Sequence, residues 1–176
     1  MLGAAGALCC VAAGTAMGSW MHERRMARWR MLRAEMDALS GMRLLLEQER
    51  PAMPELLMQC AGYVSPGNGS QQVAGRLQRA AQALEKEAML GVSGAYALAC
   101  REIHIPWERE EERSAMEIFF RQLGGGTASM REQAAAACIR RLRPLEETAA
   151  DAAEKGGRLC MQLGMLTGLM AGIILW

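Results

Sequence analysis

Cys100 and His104 are the side chains whose types and spacing come nearest to chemistry. Four residues apart, they would share a face if one helix carried both, setting a thiol beside an imidazole base. The supporting groups are missing. No acid is placed to orient the imidazole, Glu102 falls on another face, and no loop offers backbone donors to an oxyanion. A membrane-anchored thiol enzyme using Cys100 and His104 is therefore the alternative, and the chain is expected not to be an enzyme.

The remaining reactive types are sparser. Six cysteines, at positions 9, 10, 60, 100, 138 and 160, form no C-x-x-C pair and read as small buried apolar residues in a reducing cytoplasm. His22 and His104 share no helical turn with a metal-spaced partner, so no metal and no cofactor are expected. Glu108, Glu110, Glu111 and Glu112 have the types of catalytic carboxylates or cation ligands, but Arg109 and Arg113 interleave them and make the run a solvated helix face. Such a face suits a basic protein partner. Gly67 and Gly69 make no phosphate loop, because no Gly-Lys-Ser/Thr follows and no strand precedes.

The elements that position these groups read as helices throughout. The chain has 176 residues and a net charge of +1, with every Asp, Glu, Lys and Arg between Glu23 and Arg158, so a nucleic-acid partner is not expected. Alanine and fifteen methionines dominate the apolar share, with little Val, Ile or Phe, which disfavours a sheet. Met26, Trp29, Leu32, Met36, Leu39, Met42 and Leu46 predict a helix from about Glu23 to Glu49. Arg25, Arg28, Arg30, Arg33, Glu35 and Asp37 form its solvated face. Pro51 and Pro54 end that helix, and Pro54-Glu55 starts a short one. Ser65 to Ser70 is a loop and a second candidate partner surface. Gln71 to Ala88 is helical with Val73, Leu77, Ala80, Ala81 and Leu84 inward, and a further helix restarts near Ser93 and ends by Pro106. Trp107 to Leu123 packs through Met116, Ile118, Phe119, Phe120 and Leu123. Gly124 to Gly126 stops it, and Thr127 or Ser129 caps a last helix kinked at Pro144.

Both ends are uncharged. Leu159 to Trp176 spans about 27 Å as a helix, close to the thickness of a bilayer core. Met1 to Met21 is a second such run; positive residues follow it and do not precede it, and no lipobox leads into Cys9 or Cys10, so it is expected to be a retained anchor. The expected layout is a transmembrane helix over 1–21, an all-α cytoplasmic bundle of about six helices over 22–158 and a transmembrane helix over 159–176. Arg24, Arg25, Arg28, Arg30 and Arg33 after the first span, with Lys155 and Arg158 before the second, place the central part in the cytoplasm and close to lipid. Gly14 and Gly18, and Gly164, Gly168 and Gly172, recur at fourth positions and give each span a smooth packing face. A two-span signalling protein is a further alternative, though no span carries a charge.

The order of these features resembles one family. The N-terminal anchor with its basic Trp-bearing helix, Pro51-Ala52-Met53-Pro54-Glu55, Phe119-Phe120-Arg121-Gln122-Leu123-Gly124, and Lys155-Gly156-Gly157-Arg158 leading to Leu163-Gly164-Met165-Leu166-Thr167-Gly168-Leu169 look like stage III sporulation protein AB. The likeness covers nearly the whole length, departing at Gly125 to Thr127, where the family often has an acidic residue. It implies a component of the channel apparatus between mother cell and forespore in endospore-forming bacteria, in the mother-cell membrane around the forespore. It also implies a cytoplasmic domain similar to the platform proteins of type II secretion and type IV pilus machines. Implied partners are the sibling channel proteins and a secretion-type ATPase, stage III sporulation protein AA, with homo-oligomerisation left open.

Overall fold

The computed structural model describes residues 2–48, 51–67 and 69–174, and side chains for residues 12–47, 51–67 and 69–156 together with Leu166 and Met170. The fold is all-α. Among the described residues there is no strand, and six α-helices are joined by short links: α1 Leu2–Gln48, α2 Met53–Tyr63, α3 Ser70–Lys86, α4 Gly91–Glu102, α5 Glu110–Leu123 and α6 Ala128–Ile174, with a 3-10 turn at Ala88–Leu90 before α4. The chain divides into two compact units, one of Met1–Trp29 with Glu147–Trp176 and one of Arg30–Glu146.

The central unit is built around ordinary apolar packing. Met31, Leu32, Leu39 and Met42 of α1, Leu56 and Leu57 of α2, Leu77 of α3, and Phe119, Phe120 and Leu123 of α5 are all buried. Each such side chain contributes about 1.5–3 kcal/mol on leaving water. Tyr96 of α4 stacks on Phe120 with ring centroids 3.8 Å apart, and Phe119 meets Phe120 edge-on at 5.2 Å. At Gly41 of α1 an added Cβ would come within 2.7 Å of the Tyr63 ring, so glycine lets α2 approach α1. Gly126, at φ +81, takes the left-handed turn into α6, and Thr127 Oγ1 accepts from the Met130 amide to cap that helix. An exposed pair, Arg43 of α1 with Glu132 of α6 at 3.2 Å, bridges these two helices.

Several expectations are corrected. Helix α5 begins at Glu110, not Trp107, because Trp107 to Arg109 belong to the link after α4. Helix α4 begins at Gly91, and a 3-10 turn fills the boundary expected near Leu90. Glu35 is buried, not on a solvated face, since Met31, Ala34 and Ala38 bury a second stripe of α1 beside the expected one. Trp29, on the expected apolar stripe, is only half-buried. As expected, α6 runs on through Pro144.

In the terminal unit the sizes are reversed. Its buried residues, among those described, are Gly18, Ala27, Ala149 and Ala153, while Met17, Trp20, Met21, Leu166 and Met170 are exposed. The Arg25 guanidinium occupies the space that a side chain at Gly156 would need, so α1 and α6 run together here too. Among the described residues no helix is long and apolar enough to cross a membrane, and the structure gives the expected spans no support of that kind. The side chains of 1–11 and most of those of 157–176, on which both spans depend, lie outside the described residues.

Candidate functional site

The densest polar grouping is inside the central unit, and the spacing of sequence motifs does not reveal it. Arg76 lies on the inward face of α3, one helical turn from Val73 and Ala80, and is 2 % exposed. Its Nε donates to the Ile103 carbonyl at 2.9 Å, and Nη1 and Nη2 donate to the two oxygens of Glu108 at 2.6 and 2.9 Å. This is a bidentate fork, the strongest geometry available to an arginine and a carboxylate. Arg113 adds a bond to Glu108 Oε2 at 3.1 Å. One buried side chain of α3 thus fastens the link between α4 and α5.

Neighbouring elements add further ionisable groups. Glu112, fully buried in the first turn of α5, accepts from the Arg109 amide at 2.8 Å, half of a capping box. Glu35 of α1 is buried with Oε2 lacking a hydrogen-bond partner. Burial, then the nearby Glu108, pushes its carboxyl well above the usual carboxylate range, against the pull of Arg76. Burial is the largest influence on Arg76 and works to lower its pKa, but the Glu108 hydrogen bond and the acidic groups around it together outweigh burial and hold the guanidinium charged. Tyr96 is likewise raised, first by burial and then by Cys100.

The expected site residues fall on both sides of this picture. Glu110 and Glu111 are exposed, as a partner surface requires, whereas Glu108 and Glu112 are buried and cannot belong to it. The reason is local: the helix starts three residues later than expected, so Glu108 falls in the inward link and Glu112 at the cap. Arg24, Arg25, Arg30, Arg33 and Lys155 are exposed and Arg28 is half-buried; Arg24 lies over the Trp20 ring at 4.5 Å. Gly18 is buried and Gly14 half-buried. Arg158, Gly164, Gly168 and Gly172 lie outside the residues whose burial is described.

Cys100 and His104 do not share a helix, since α4 ends at Glu102 and His104 sits exposed beyond its cap. Burial raises the Cys100 thiol, and the Arg76 charge and the Tyr96 hydrogen bond only partly offset this. Burial also pushes Cys60 and Cys138 up to about 12. These are the environments of inert thiols. Among the described residues no group of three or more His, Cys, Asp or Glu is arranged to hold a metal. A cavity of about 50 Å³ between α5 and α6, lined by Ala115, Phe119, Cys138 and Arg141 among others, is far below the ~300 Å³ at which small-molecule sites begin.

Among curated proteins and among solved structures, nothing matches the chain. The family model for stage III sporulation protein AB matches residues 3–176, so the chain belongs to that family and has its role at stage III of sporulation.

Proposed function

We propose that the chain is a non-enzymatic, membrane-held docking component of the secretion-like channel apparatus between mother cell and forespore. Two terminal helices hold it in the mother-cell membrane, and the central bundle faces the cytoplasm. Its partners are sibling channel proteins and a secretion-type ATPase, whose motion the bundle would pass on as a platform protein does.

The observation that carries this reading is the reversed packing of the terminal unit, where small residues are inside and large apolar ones outside. Helices packed in lipid bring small residues to their contacts and turn bulky apolar ones outward, because lipid does not penalise them. The uncharged sequence ends and the arginines that follow Met21 agree in kind. On the bundle, the exposed Glu110 and Glu111 remain the candidate surface for a basic ATPase partner.

Affinity capture from sporulating cells in mild detergent tests the assignment. Membrane proteins and an ATPase should come down with the wild-type chain, and the triple replacement Gly164→Leu, Gly168→Leu, Gly172→Leu should lose the membrane companions. Recovery of soluble metabolic enzymes alone would overturn it.

A further inference from the structure

The cavity between α5 and α6 is too small for a metabolite, yet it opens at the surface, where the exposed Gln122 and Arg141 form part of its wall. It arises because α6 presents Ala134 and Ala137 where α5 presents Ile118 and Phe119, and the alanines leave the space between unfilled. Its floor is apolar and fixed. Ala115, Phe119, Ala134 and Cys138 are buried, and the Cys138 thiol donates to the Ala115 carbonyl at 3.7 Å. A volume of about 50 Å³ has room for about three to five waters, the bulk of one aliphatic side chain. An empty apolar slot forfeits van der Waals contacts that a visiting side chain restores.

Charge fixes the chemistry of the visitor. Along the stretches that border the slot, 114–122 of α5 and 133–141 of α6, the charged side chains are Arg121, Arg140 and Arg141 against Glu117 alone, and all four are exposed. None of these three arginines forms an ion pair among the described residues, whereas Arg43, Arg79 and Arg113 each hold a glutamate. The short turn at Gly124 to Thr127 sets α5 and α6 antiparallel, so Arg121 and Arg141 stand at opposite ends of the slot, about 10 Å or two helical turns apart. We infer that this cleft docks an acidic amphipathic helix of a protein partner: one aliphatic side chain fills the slot, and carboxylates four residues before and after it meet Arg121 and Arg141. That helix is opposite in charge to the partner suited to Glu110 and Glu111, so the two surfaces engage different segments. The assignment rests on the bundle alone, not on the membrane-held reading.

Photocrosslinking of the full chain in sporulating cells reads the occupant. A benzophenone amino acid replaces Gln133, exposed on α6 one turn before Ala137, or, as the control, Gln78, exposed on α3. The Gln133 position should give an adduct that the control does not. Mapping that adduct by mass spectrometry should place it on a segment with an aliphatic residue between acidic residues one turn away on each side. Adding Arg121→Glu and Arg141→Glu together, both at exposed positions, should cut the adduct about tenfold or more at equal protein level, since like charges then face each other. No adduct above the control would overturn the docking site, as would an adduct to a second copy of this chain or to a basic segment. An adduct undiminished by the double reversal would overturn it too.

Discussion

The central unit and the terminal unit bury opposite things. In Arg30–Glu146 the interior takes large side chains and even a bidentate ion pair, with Arg76 and Glu108 at 2 and 0 % side-chain exposure. In Met1–Trp29 with Glu147–Trp176 the buried residues described are alanine and glycine, and Trp20, Met17 and Met170 face outward. Where water is the solvent, burying bulk drives folding, and a charge inside must bring its partner with it. Where lipid is the solvent, bulk gains nothing by moving inward and close backbone approach is what remains. The comparison is a physical reason to assign the two units different surroundings.

The largest expected effect breaks the central half of that contrast. Arg76→Ala leaves Glu108 buried without its fork and should cost about 3–5 kcal/mol, seen as a lower denaturant midpoint for loss of helical signal. Replacing both partners with apolar residues should recover much of that loss, because the pair would be gone without an orphaned charge. Next in size, Ala153→Leu in the terminal unit puts bulk where only a small residue is buried, and should cost about 1–3 kcal/mol in the pairing of α1 with α6. The smallest effect sharpens the comparison within α3 itself. Arg79 also bonds a glutamate, Glu102, one turn from Arg76, but the pair stands 29 and 41 % exposed. Arg79→Ala should leave the midpoint unchanged within error, and any small effect should vanish as salt is added.

How much of this the sequence disclosed depends on how local the cause is. The inward stripe of α3 is readable because Val73, Leu77, Ala80, Ala81 and Leu84 repeat at helical spacing, and all are buried. Arg76 sits on that stripe but does not stand out, since a lone arginine reads as solvated and its partner lies thirty-two residues on, in a link. Glu35 was hidden differently. Ala27, Ala34 and Ala38 look neutral in a hydrophobic pattern, yet with Met31 they mark a second buried stripe on α1 that brings Glu35 inside. The start of α5 has no cap signature to read: Arg109 has no acceptor side chain, and only the bond from its amide to Glu112, three residues on, marks the helix start. Glu110 and Glu111 are exposed, as a charged run interleaved with arginine reads.

Extraction of membranes with alkaline carbonate tests the central claim most directly, because it strips peripheral proteins and leaves integral ones. The full chain from sporulating cells should stay in the membrane pellet, and stay there when the washes are repeated at high salt. Recovery of the intact polypeptide in the soluble fraction would contradict a membrane-held terminal unit, and with it the docking role assigned to the bundle.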